Sequence, residues 1–256
     1  MKNPKNDRLE EVEISVVDKI EVILMGISAS IPGVASLSAG WSEWKNAKQT
    51  QYLNDLLVQY FEKMKELENR LDNDYIKTDE AKSILERTAN KAKDETRTEK
   101  RALLAQFLAT SSTKELSGDK EKEMVLETID KLSPLQTEFL HLITALLVTG
   151  SGKSNVLIGS EYDPKDKNKV EIKYTFDKTI VQLCSHLTDK DSIESALDYM
   201  ISVGVIETHS ARGFSTLGGQ TGIKGYRPTK LGLKTLKYLD IDIDNIKVTV
   251  PNNVYN

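Results

Sequence analysis

From Leu9 onward, apolar residues recur every third or fourth position through Val12, Val16, Ile20, Ile23 and Ile27, with Glu10, Glu13, Lys19 and Glu21 mostly on other faces. That period predicts an amphipathic helix. It should end near Ser30, because Pro32 lacks an amide proton and disfavours helix at Ile31. A second helical pattern, one long helix or two in line, builds through Val34, Leu37, Trp41 and Trp44, then Leu53, Leu56, Tyr60, Met64, Leu67 and Leu71. The cluster Asp72-Asn73-Asp74 predicts a turn, since these short polar side chains compete for backbone hydrogen bonds. Further helices are expected over 78–92 and 99–110, and a fifth carries Met124, Leu126 and Ile129. No proline lies between Gly33 and Ser133, and strand-like alternation is absent, so residues 1–131 predict an all-α bundle.

The texture changes at Leu132. Ser133 and Pro134 start a helix carrying Leu135, Phe139, Leu142, Ile143, Leu146 and Leu147, with Glu138 in its first turn and Gly150 at its end. Val156-Leu157-Ile158 and the alternating stretch 170–176 predict a short strand or hairpin around the polar loop 163–169. Helices return over 180–187 and 193–203, and Gly204 stands where a left-handed C-terminal cap is required. Strands at 205–208 and at Tyr226-Arg227 flank a glycine-rich stretch, 213–225. A last helix starts at Pro228-Thr229, and 246–250 add a final strand. The predicted fold is mainly α: a helical bundle over 1–131, then an α+β domain over 132–256 with an insertion at about 151–176.

Composition narrows the classes. At 256 residues, with 39% hydrophobic and 29% charged residues and a mean hydropathy of −0.40, the chain is too apolar for disorder and too polar to span a membrane many times. A net charge of −4 offers no overall basic footprint for nucleic acid. The single cysteine, Cys184, excludes an internal disulfide and a cysteine-rich zinc site, which suits a reducing cytosol. Charged residues mixed through Met1–Asp18 leave no room for a secretory signal's apolar core, so a cytoplasmic location is expected.

Two motifs carry a resemblance. One is the passage from a helix with Leu197, Met200 and Ile201 through Gly204 into Val205-Ile206. The other is Tyr226-Arg227-Pro228-Thr229-Lys230-Leu231-Gly232 with Leu233-Lys234-Thr235-Leu236. With the order of elements over 132–239, they resemble a winged helix-turn-helix domain. The insertion makes it a decorated variant. The resemblance implies a third helix and a wing used either for DNA, in the major groove and on the backbone, or for protein contacts. More weakly, Ile31-Pro32-Gly33, the stretch Glu99-Lys100-Arg101-Ala102-Leu103-Leu104-Ala105 and Leu132-Ser133-Pro134-Leu135 resemble bacterial helical proteins of the abortive-infection alpha type. That likeness, over about 10–150, implies a link with phage defence or stress and no catalytic residue.

Charge by region separates the uses of the second half. Over 189–203, Asp189, Asp191, Glu194 and Asp198 outweigh Lys190, a net of −3, which is unfavourable beside phosphates. Over 207–239, Arg212, Lys224, Arg227, Lys230, Lys234 and Lys237 face only Glu207, a net of +5. Arg212, Lys224, Arg227, Lys230 and Lys234 are therefore the expected contacts to a partner, nucleic acid or protein. In the first half, 22–41 is twenty residues without a charge, the length of a bilayer span, but it holds ten Gly, Ala or Ser residues and Pro32. Gly26 and Ser30, Ala29 and Gly33, and Ser36 and Gly40 are each four apart, the spacing that lets helices approach closely. The segment is either a buried hairpin of the bundle or one that inserts or oligomerises, with Trp41 and Trp44 at its edge.

Other motifs fail on inspection. Around Gly152-Lys153-Ser154 the P-loop pattern needs a further glycine where Leu147 stands, and a strand before it. Asp72-Asn73-Asp74 and 163–168 lack the glycine and glutamate of a calcium loop. His141, His186 and His209 have no second ligand at helical spacing, Cys184 has no base placed beside it, and Ser215 lacks nucleophile-elbow glycines. The expectation is a cytosolic, non-enzymatic interaction protein without cofactor or metal, with defence implied by resemblance. Its partner is a protein or a second copy, and membrane contact through 22–41 is a further option. The alternative is a DNA-binding regulator that uses the basic wing.

Overall fold

The structure is a computed structural model, and the residues it describes are 47–149, 156–162, 169–176, 180, 188–212 and 222–241. The expected first helix, the segment 22–41 with Gly26, Ser30, Gly33, Trp41 and Trp44, most of the helix over 180–187, the wing 213–221 and the last strand lie outside them. The described part is mostly helical, and the chain divides into two compact units, Met1–Leu126 and Glu127–Asn256.

In the first unit, helix α1 (Ala47–Glu66) buries Leu53, Leu56, Leu57, Tyr60 and Met64 at the spacing of one helical face. It packs on α3 (Thr98–Ser111), where Leu104, Ala105 and Leu108 are buried. Between them lie a tight helical turn, Glu68–Arg70, and the segment Asp72–Asp74, which is a turn. The Asp72 carboxylate accepts from the amides of Asp74 and Tyr75 (3.1 Å each) and from the Ser117 hydroxyl (2.7 Å). The Ser117 hydrogen bond, ahead of the Tyr75 amide, holds this carboxyl below the usual range. Helix α2 (Asp79–Ala92) is capped by the Thr78 hydroxyl, which accepts from the Ala81 amide at 3.2 Å.

Helix α4 (Lys122–Lys131) corrects one expectation. Met124 is 44% exposed, whereas Val125, Leu126 and Ile129 are buried. Met124 lies about 100° round the helix from Val125 and so falls outside the face that Val125 shares with Ile129.

Helix α5 (Pro134–Thr149) opens with a reciprocal cap: the Gln136 amide donates to the Ser133 hydroxyl (3.2 Å), and the Ser133 amide to the Gln136 side chain (2.8 Å). Strands β1 (Val156–Tyr162) and β2 (Lys169–Phe176) form an antiparallel hairpin with Val156 opposite Thr175. Helix α6 (Lys190–Val203) begins three residues before the apolar pattern does, because Asp189 caps it. Its carboxylate accepts from the Ser192 amide (3.0 Å) and hydroxyl (2.7 Å), and the hydroxyl bond is the main cause of its lowered pKa. Gly204 ends the helix at φ 81°. Then come β3 (Ile206–Arg212), β4 (Gly222–Pro228) and α7 (Lys230–Tyr238). The sheet order is β1-β2-β4-β3, so β2 reaches past β3 in sequence to pair with β4. Phe139 and Ile143 of α5, Leu197 and Met200 of α6, Tyr226 of β4 and Leu236 of α7 meet in one core.

Candidate interaction surfaces

The sequence Tyr226 to Leu236 makes a corner that fixes α6 and α7 to the sheet. The Thr229 hydroxyl donates to the Gly204 carbonyl (2.6 Å) and accepts from the Gly232 amide (3.1 Å), closing the first turn of α7. The Thr229 amide donates to the Val205 carbonyl at 3.0 Å. Gly232 then passes so close that a Cβ there would lie 2.1 Å from the Val205 oxygen. Threonine and glycine three apart are thus required by geometry: one caps the helix and holds the α6–β3 joint, and the other makes room for it.

The joint presents two charged faces. On α6, Asp191, Glu194, Ser195, Asp198 and Ser202 are exposed at the spacing of one helical stripe, and Tyr199, beside them, is 41% exposed. Lys190 and Glu194 pair on this surface at 3.3 Å. An open depression lies between Gln136 at the start of α5 and Asp191, Ser195 and Tyr199. The Tyr199 hydroxyl donates to the Lys131 carbonyl at 3.3 Å, which steadies the ring while leaving its face open.

On α7, Lys230 and Lys237 are exposed and Lys234 is half-buried, again on one stripe, with Leu233 36% exposed among them. Of the other expected contacts, Arg227 is held in an ion pair by Glu207, directly opposite it on β3. Arg212 stands opposite Gly222 and Lys224 opposite Ser210 in the β3–β4 ladder, and the side chains of Arg212 and Lys224 lie outside what is described. The structure therefore brings Lys230, Lys234 and Lys237 together and engages Arg227 with a carboxylate. The pattern of the sequence did not single out Tyr199. Its signal was its place off the apolar stripe formed by Leu197, Met200 and Ile201.

The first unit holds charges in its interior. Arg101, whose side chain is 6% exposed, bonds Asp55 of α1 (2.6 Å), the Glu95 carbonyl (2.7 Å) and the Thr98 hydroxyl (3.0 Å), and lies over the Tyr52 ring. Lys122, 2% exposed, reaches Glu80 at 2.7 Å and the Ser117 carbonyl, with the Tyr75 ring 4.4 Å away. Of the fully buried side-chain polar atoms in these two clusters only the Tyr75 hydroxyl lacks a hydrogen-bond partner, and both clusters join distant segments, as a structural role requires. Beside Arg101, the Arg97 side chain, through its hydrogen bonds, holds the Glu95 carboxyl down at about 2. Among the described residues no three His, Cys, Asp or Glu side chains gather as a metal site would, and no helix is long and apolar enough to cross a membrane.

Comparison with protein-family models, with curated proteins and with solved structures finds no match to this chain.

Proposed function

We propose that this chain is a non-enzymatic interaction protein whose second half is a decorated winged helix-turn-helix module used for protein contact. Strand order β2-β4-β3, with α6 entering the sheet through Gly204 and α7 capped by Thr229, supports the module; β1 is the decoration. The observation that carries protein contact is the exposed face of α6. In a DNA-binding module this helix enters the major groove, and here it offers Asp191, Glu194 and Asp198 with an open tyrosine. Carboxylates repel phosphates, whereas a rigid aromatic amid charge is the composition of a protein contact.

The lysine stripe of α7 supports a second reading, a regulator that holds the DNA backbone. The two separate in an electrophoretic mobility assay at low salt. Protein contact predicts no retention of duplex DNA. The second reading predicts retention that weakens steeply with salt and is lost on replacing Lys230 and Lys237 by glutamate.

The resemblance of 10–150 to abortive-infection proteins supports a place in bacterial phage defence, with the chain cytoplasmic and 22–41 its route to a membrane. Phage plating on cells with and without the chain tests the first point. For the second, both of the chain's tryptophans, Trp41 and Trp44, belong to this segment or its edge, so tryptophan emission, excited selectively over that of the tyrosines, reports on it alone. A blue shift on adding phospholipid vesicles is expected if it inserts, and an unchanged spectrum removes the membrane route.

A further inference from the structure

The acidic face of α6 and the basic face of α7 are opposite in sign and equal in length, and their spacings coincide when the two helices run antiparallel. Asp191, Glu194 and Asp198 sit at i, i+3 and i+7, and Lys230, Lys234 and Lys237 at i, i+4 and i+7. Each stripe thus runs over seven residue steps, about 10 Å of helix. Each also carries one exposed apolar group, Tyr199 on α6 and Leu233 on α7. We infer that the partner recognised by α6 is a second copy of this chain, docking through its α7. This rests on the protein-contact reading of α6 and names the partner.

Because the two faces differ, they can be matched in two ways: reciprocally, closing a two-fold dimer in which each α6 meets the other copy's α7, or head to tail, leaving one acidic and one basic face at the ends of a ring or a growing chain. The Lys190–Glu194 pair, and the interactions that Asp198 and Lys234 already make, are no obstacle, since surface charges are worth little to one another and can exchange partners at small cost. Attraction between exposed charges is screened within about 10 Å at ordinary ionic strength, so assembly should be strong at low salt and fall as salt is added. Tyr199 and Leu233 supply the part that salt does not remove.

Sedimentation velocity on the full chain tests this. The wild type should form dimers or larger oligomers whose share grows with concentration at low salt and which dissociate at high salt. Glu194→Gln with Asp198→Asn should weaken self-association at least tenfold, and so should Lys230→Gln with Lys237→Gln. These are exposed positions, and an unchanged circular dichroism spectrum and melting curve will show that each variant is folded. Mixed together, the two variants retain one working face each and should give a one-to-one dimer that stops there. A wild type that is monomeric at low salt, or oligomers indifferent to either pair of substitutions, overturns the second-copy assignment. A monomeric wild type that retains DNA through α7 overturns the protein-contact reading as well, whereas one that retains none leaves that reading standing.

Discussion

Two glycines in this chain have opposite reasons for being glycine. A methyl group at Gly232 would meet the Val205 carbonyl oxygen at 2.1 Å, and backbone cannot swing aside as a side chain can. Gly232→Ala should therefore cost about 3 kcal/mol or more, at the upper end of what overpacking costs. At Gly118 nothing lies within 4 Å, so Gly118→Ala should stay within about 0.5 kcal/mol of wild type. Urea denaturation of the two variants checks both. A second residue-scale expectation concerns Tyr60, whose phenol is pushed up to about 12 by burial, against a smaller opposing effect of its hydrogen bond with Ser112. The folded state keeps this proton where the unfolded chain, titrating near 10, gives it up. Tyr60 thus leaves stability whole below pH 10 and removes it as pH rises toward 12, by on the order of 2 to 3 kcal/mol. The alkaline slope of stability should be shallower in Tyr60→Phe; an equal slope would assign it to other groups.

Helix ends were the most readable part of the sequence, because they are set by neighbours in the chain. Thr78, Ser133, Gly204 and Thr229 stand at helix boundaries and make the bonds their residue types suggest. Asp189 was counted as a charge and works as a cap, so α6 starts earlier than its apolar residues do. Interior charge was not readable. Lys100, Arg101 and Lys122 look like surface residues in any local window, and Arg101 and Lys122 are buried beside carboxylates 46 and 42 residues away. The pairing of β2 with β4 was hidden for the same reason. Arg101 ties α3 to α1, and its removal should be felt by both helices. Arg101→Leu should destabilise by about 3 kcal/mol, at the low end for a broken buried pair because Asp55 is 32% exposed. Arg101→Lys keeps the charge but not the fork that reaches Asp55, Glu95 and Thr98 together, so it should recover only part of the loss. A double-mutant cycle with Asp55→Asn measures the coupling.

At the scale of the whole molecule, each of the two units has a core of its own. Calorimetry should accordingly resolve two unfolding components, Arg101→Leu lowering one and Gly232→Ala the other; a single transition shifted by both variants would mean that the units melt as one. The average charge of −4 concealed two opposed stripes on a single unit, and three-dimensional placement was needed to see that Arg227 is engaged by Glu207 while the lysines of α7 share a face. The corner built by Thr229 has a further consequence, for hydrogen exchange. The amides of Val205 and Thr229 donate to the carbonyls of Met200 and Val205, tying the end of α6, the start of β3 and the start of α7 into one run of bonds. Deuterium should enter at these two amides only when α6 and α7 come off the sheet together. Any ligand that grips α6 alone should then slow exchange at Thr229, a residue that it does not touch.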